Sequence, residues 1–460
     1  MADPLLERLH EALARSGLKR EARAWALLAA WALAVAGLFA LLLALARTPV
    51  VQDLLPWRGD GFFRKALVTH VDFSFVVWFL ALLGVLLAFA AALLPKAGPA
   101  GAILGRIAVG LGILAFFLMA LPALLDRGLP ALNNYVPVLE DPIFMAGLVA
   151  LFLALGLVSA RLLAGMVRPE RARDELALAG AAAALAILVS LLCFLIALGQ
   201  LPKGLDPANW AEHLFWGGGH VLQFAYTILL VAIWQVLSRL AFDQPALSPA
   251  LYRAALFAFL PFILAAPFFY ARHPILSLEL KNAFADLFLY GLVLPSLVAG
   301  LGVLTCWRQR TQPGGAAGLA LILSVLLYGL GGLAGYTLGP NDTRIPAHYH
   351  AVIGGVNLAA MGFYYAVLLP LLGRPILGRK KMAVSLGLYG LGQFLWTAGM
   401  FLAGLLGVAR KTAGAAQGLD SAPKTIAMTV MGVGGVMAVA GGVLFVALIL
   451  YGLLAKRSRP

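Results

Sequence analysis

The chain has 460 residues, 62% of them hydrophobic and only 12% charged, with a mean hydropathy of +0.94, a composition that excludes a soluble globular domain and fits a polytopic membrane protein. Its net charge of +14 reads as membrane topology and anionic-lipid contact, with no nucleic-acid partner. The two cysteines, Cys193 and Cys306, exclude a disulfide framework and a Cys-rich metal motif, and no C-x-x-C-H attachment motif occurs.

The first 24 residues, MADPLLERLHEALARSGLKREARA, carry Leu5, Leu9 and Leu13 at helical spacing among charges. They predict a short amphipathic helix lying on the cytoplasmic face and lack the character of a cleavable signal. Residues 25–460 then read as one all-α membrane domain. Apolar runs of about 20 residues, the length that crosses a ~30 Å hydrocarbon core as helix, fall at about 25–46, 67–94, 101–125, 143–166, 174–199, 209–240, 249–271, 282–305, 316–336, 346–373, 383–408 and 425–454. Twelve spans place both termini on one side. Roughly 22 of the 34 Lys and Arg fall on that side, which makes it cytoplasmic. The largest cytoplasmic clusters are Arg168, Arg171 and Arg173, then Arg374, Arg379, Lys380 and Lys381, then Lys456, Arg457 and Arg459.

Of seven histidines, five lie within or at the end of a predicted span. His70 lies in span two, in ALVTHVDFSFVVWFLALLG. His220 lies in span six, directly after Gly217, Gly218 and Gly219, which let a bulky neighbour approach the backbone and predict a cofactor wall beside a metal ligand. His273 closes span seven, and His348 and His350 open span ten. Titratable side chains at membrane depth are costly without partners, so five together point to function. His348 and His350 project about 200° apart around one helix, which refuses a single metal held at i, i+4 and suits two flat cofactors on opposite sides of the helix. His70 shares their depth and supplies a second axial ligand for one of them. In span six, His220, Gln223 and Thr227 share a face, and Thr227, Gln235 and Ser238 lie on the inner part of the span; we read these polar residues as interhelical hydrogen bonding in preference to proton supply.

Twelve spans with histidines in spans two, six and seven and an H-x-H in span ten resemble subunit I of the haem–copper oxygen and nitric oxide reductase superfamily, over essentially the whole chain. The resemblance implies two non-covalent haems. His70 and His350 would hold the low-spin haem, and His348 the high-spin haem. His220 and His273 would hold a further ion, copper or non-haem iron. The stretch GVARKTAG resembles the family's basic pair for haem propionates, so Arg410 and Lys411 would bind those carboxylates. The implied protein is the catalytic subunit of a respiratory reductase in a bacterial-type plasma membrane. Its substrate would be a small gas, and its electrons would come from a cytochrome c-type or cupredoxin-like subunit, or from quinol.

Two departures bear on the substrate and the second metal. Where the family has adjacent histidines closing span seven, this chain reads Arg272–His273. Arginine is no ordinary metal ligand, although a cation there could stabilise an anionic intermediate. Where oxygen reductases place a tyrosine four residues after the span-six histidine, this chain has Phe224. Nitric oxide reductases do without that tyrosine, so the expectation leans toward reduction of NO to N2O. The alternatives are oxygen reduction with an unusual proton donor and a non-catalytic haem protein for electron transfer or gas sensing. A secondary transporter would leave the H-x-H unexplained.

Overall fold

The computed structural model describes residues 4–49, 60–94, 99–166, 174–311, 314–339, 341–374 and 378–455. Among them twelve helices are long and apolar enough to cross a bilayer: Lys19–Arg47, Phe63–Ala92, Gly101–Leu124, Pro142–Met166, Glu175–Gln200, Pro207–Phe242, Pro249–Arg272, Leu278–Gln309, Gly315–Thr337, Arg344–Leu371, Arg379–Leu405 and Ala422–Leu454. These are numbered below as spans one to twelve. Helix is the form in which such sequences satisfy every backbone polar group without water. The second span is α-helical to Val71, widens to a π-helix over Asp72–Val77, and resumes as α-helix at Trp78. The tenth has a similar π stretch at Tyr364–Leu368. Such insertions frequently mark functional positions.

The chain forms two compact units. One comprises Met1–Ala32, Val71–Ala232 and Leu247–Ala299. Its N-terminal helix, Pro4–Ser16, is amphipathic as expected, and part of its apolar face is covered by protein. Leu9, Ala12 and Leu13 are buried at 1%, 2% and 0% exposure, and the helix packs on the Trp78–Ala92 segment of span two. Spans one and four are joined by a buried ion pair in which Arg161 Nη1 and Nη2 donate to Glu21 Oε2 and Oε1 at 2.8 and 2.6 Å. Both side chains are under 10% exposed, and the bidentate geometry offsets much of their desolvation cost. The connection between spans three and four carries a short hairpin, β1 (Pro130–Ala131) and β2 (Val138–Leu139), with Pro130 opposite Leu139 and Ala131 opposite Val138.

The other unit comprises Leu33–His70, Ile233–Ala246 and Gly300–Pro460. Here spans eleven and twelve meet along a seam of glycines. A Cβ on Gly392 or Gly399 would lie 2.3 Å from Ala438 N or 2.4 Å from Met431 N, and one on Gly434 or Gly441 would lie 2.3 Å from Trp396 N or 2.4 Å from Tyr389 N. Each pair is spaced by seven residues, so both members fall on one helix face. At one end of this seam Ala347, Met400, Ala403, Val408, Met428 and Met431 form a buried cluster. The loop before span ten is tied to the loop between spans eleven and twelve by the bridge Asp342–Ala409 and by Thr343 N donating to Val408 O at 3.0 Å.

Of the basic clusters, Arg379, Lys380 and Lys381 are exposed. Arg374 is buried at 9% exposure and donates from Nη1 to Ala455 O. Arg168, Arg171, Arg173, Lys456, Arg457 and Arg459 lie outside the described residues.

Candidate functional site

In the unit that contains the start of span ten, His348 and His350 face different neighbours. His348 Nδ1 donates to Gly331 O of span nine at 2.7 Å. The ring of His350 stacks on Trp396 of span eleven, with centroids 3.8 Å apart and planes 32° apart, and meets Tyr349 at 5.1 Å. His70 Nδ1 donates to Ala36 O of span one at 3.0 Å. Because a carbonyl can only accept, Nδ1 carries the proton in His70 and His348, and the lone pair of each ring is at Nε2. That is how a metal-binding imidazole is oriented by a backbone partner. His70 and Arg47 both lie within electrostatic range of His350. His70, His350 and Arg47 are therefore brought together, while His348 points to the other side of the same helix.

Arg47 was not singled out by the sequence, where it reads as the cation that ends span one. Its guanidinium is buried at 9% exposure, and neither Nε nor Nη2 has a hydrogen-bond partner among the described residues. A buried cation with unsatisfied donors calls for an acceptor. Two imidazoles with such a guanidinium beside them fit a flat iron-bearing cofactor with polar substituents. Asp72, two residues beyond His70 in the π stretch, is fully buried and both of its carboxylate oxygens lack partners among the described residues. Its only sequence signal was a charge within an apolar run.

Arg410 and Lys411 occupy the loop between spans eleven and twelve. Arg410 N donates to Asn341 O at 3.3 Å and its Nε to Asn341 Oδ1 at 3.0 Å. Lys411 adopts a left-handed backbone, φ 58°. Asp342 accepts from Arg344 Nη2 at 2.7 Å and Arg344 N at 2.8 Å. The Arg344 side-chain hydrogen bond, followed by its backbone N–H and the charges of Arg344 and Arg410, outweighs burial and holds the Asp342 carboxyl below the usual carboxylate range. The basic pair is thus held on a braced loop.

In the other unit His220 is buried at 3% exposure, and both ring nitrogens are engaged. Nδ1 donates to Trp216 O at 2.7 Å, and the hydroxyl of Tyr135 donates to Nε2 at 2.8 Å. Tyr135 belongs to the turn between β1 and β2. Burial, with the nearby charge of Glu212, pushes its phenol above the ordinary range and keeps it a donor. The three glycines before His220 admit aromatic rings of the protein itself: Phe284 and Tyr270 at Gly217, Phe194 at Gly218 and Tyr135 at Gly219. The expected cofactor wall is therefore aromatic packing through small residues, because these rings already fill the concavities.

Phe224 is fully buried and meets Phe259 and Phe262 at 6.1 and 6.5 Å. Thr227 donates to Gln223 O of its own helix at 2.9 Å, and Gln235 and Ser238 are buried at 4% and 0% exposure. His273 caps span seven in extended backbone and is half-buried, while the Arg272 side chain is exposed. Among the described residues no group of three or more His, Cys, Asp or Glu side chains is arranged to hold a metal ion. With His220 engaged at both nitrogens, this donor set does not fit a further bound ion. Tyr135 carried no sequence signal, since a loop has no periodicity to read.

Twelve apolar helices with imidazoles directed to both sides of one span define a polytopic membrane protein with histidines placed among its helices. The chain belongs to the family described as Cytochrome C and Quinol oxidase polypeptide I, whose model matches residues 20–444. It is similar to an uncharacterized protein of Aquifex aeolicus (strain VF5), 32% identical over 346 residues, covering 74% of this chain and 83% of that protein. It is also similar to the uncharacterized protein RP382 of Rickettsia prowazekii (strain Madrid E), 25% identical over 92% of this chain and 94% of the relative. In fold it is similar to a haem–copper terminal oxidase dimer solved by cryo-EM, with a TM-score of 0.76 at 17% identity, covering 96% of this chain and 85% of that one. The chain is accordingly an integral membrane oxidoreductase of the haem–copper superfamily, of the respiratory terminal oxidase or reductase class.

Proposed function

We propose that this chain reduces a diatomic gas, with NO as the preferred substrate and N2O as the product. The observation that carries the reading is Phe224, which stands four residues after His220 and is locked among Phe259 and Phe262. Joining two NO molecules takes two electrons and involves no O–O cleavage, so a phenol at that position is dispensable.

His70 and His350 would hold one haem, with Arg47 satisfying an acceptor on it, and His348 would hold a second. When bound, the haems supply one-electron transfer and an iron atom open to the gas. The chain's own part is orientation: Ala36 O and Gly331 O fix the His70 and His348 tautomers, Trp396 fixes the His350 ring plane, and the braced loop presents Arg410 and Lys411 to propionates. Electrons would come from a separate cytochrome c-type or cupredoxin-like subunit or from quinol, because the only cysteines are Cys193 and Cys306, both buried. The charge asymmetry supports cytoplasmic termini in a bacterial-type plasma membrane.

Oxygen reduction is a second reading, favoured by the Tyr135 phenol on His220, which could supply a hydrogen that Phe224 cannot. Consumption of NO and of O2 by the purified enzyme, with one reductant, separates the two. N2O formation faster than O2 uptake is expected. Rapid reduction of O2 to water with negligible N2O would refute the NO reading.

A further inference from the structure

We infer that the span-six histidine of this chain is committed to a phenol–imidazole pair with Tyr135, which takes the place that a second metal ion would need. The inference stands on geometry and is independent of whether NO or O2 is the substrate.

A neutral imidazole has one lone pair. The Nδ1 of His220 must carry the proton, because Trp216 O at 2.7 Å can only accept. The lone pair is therefore on Nε2, where the Tyr135 hydroxyl donates into it at 2.8 Å. An ion could reach Nε2 only by displacing the phenol. An ion at Nδ1 would have to remove the proton given to Trp216 O.

Tyr135 is built to stay. Its ring fills the concavity at Gly219, where a Cβ would lie 2.6 Å from Tyr135 Cγ, and it meets the rings of His220 at 4.6 Å and Trp216 at 5.7 Å. Its backbone N–H donates to Asn133 Oδ1 at 3.0 Å, and Val136 N donates to the same oxygen at 2.9 Å, closing an Asx-type turn. Asn134 is anchored to span six, donating from N and Nδ2 to Glu212 Oε2 and Oε1 at 3.0 and 2.6 Å. The β1–β2 pairing closes the turn on both sides. Span seven offers a single imidazole, His273, half-buried at the helix end, since the Arg272 side chain is exposed.

Tyr135 is thus a positioning residue that fixes the tautomer and plane of His220. The test is metal content and copper(I) affinity of the purified full-length protein, with haem measured in the same sample. The wild type should hold far less than one copper or non-haem iron per chain. Tyr135→Phe should bind copper(I) about tenfold more tightly, and His220→Ala in that background should abolish the gain. Retention of the low-spin haem spectrum verifies folding in each variant. A wild type carrying one non-haem metal per chain that is lost in His220→Ala would overturn the inference, and so would a well-folded Tyr135→Phe with unchanged copper affinity. Neither result bears on the haem assignments, which fail only if the haem spectra do.

Discussion

Replacing Gly335 with alanine would disturb one cofactor site and spare the other. A Cβ at this position would lie 2.9 Å from His348 Cε1 and 3.0 Å from its Nδ1, so the ring must retreat by about 0.5 Å to reach ordinary contact. The neighbour cannot yield freely, because His348 Nδ1 is already held by Gly331 O at 2.7 Å, and such a movement takes that bond to the edge of the hydrogen-bond range. Overpacking of this kind costs about 1–3 kcal/mol, equivalent to a roughly five- to 150-fold weaker hold on whatever His348 ligates. The assay is the CO difference spectrum of the reduced protein, titrated with CO and normalised to the low-spin absorbance. The CO-binding fraction should fall while the low-spin signal stays intact. A variant with wild-type CO binding would refute the placement of His348 at the gas-binding haem.

The converse change is Gly434→Ala, whose Cβ would lie 2.3 Å from Trp396 N and would push span eleven off His350; the low-spin signal should broaden or fall with CO binding retained, and an unchanged low-spin spectrum would count against Trp396 as the support of that ring. A pH prediction follows from Asp342, whose carboxyl is held below its ordinary value chiefly by Arg344. A depressed carboxyl contributes stability that is present above the unfolded value of about 3.9 and is lost as pH falls through the lower folded value. Melting temperature measured from pH 6 down to pH 3 should therefore drop more steeply in the wild type than in Asp342→Asn, and parallel curves would show that the pair does not couple to folding.

All twelve spans were legible because hydrocarbon thickness sets a length that composition reveals. Their ends differ by a few residues where polar groups continue the helix: span two begins at Phe63 and span six runs over Pro207–Phe242. The opposed directions of His348 and His350 followed from helical pitch alone, and the structure gives them separate partners. What stayed hidden has a common cause. Gly217 to Gly219 state that something enters, not what, and the rings that enter come from remote segments. Tyr135 reaches His220 from a loop 85 residues away in sequence, a distance that periodicity cannot bridge. The Nε and Nη2 of Arg47 and the carboxyl of Asp72, which lack partners among the described residues, emerge only when burial is known. The N-terminal helix was recognisable as amphipathic, but its moment could not say whether lipid or span two would cover it.

The central claim is that two haems are held on opposite sides of span ten, one by His70 and His350 and the other by His348. The most direct measurement is the optical and electron paramagnetic resonance spectrum of the purified protein, reduced and oxidised, with and without CO, compared with His350→Ala. The account predicts a low-spin signal in the wild type that is lost in His350→Ala, while a CO-binding high-spin haem persists. Loss of CO binding in that variant with the low-spin signal intact would contradict it.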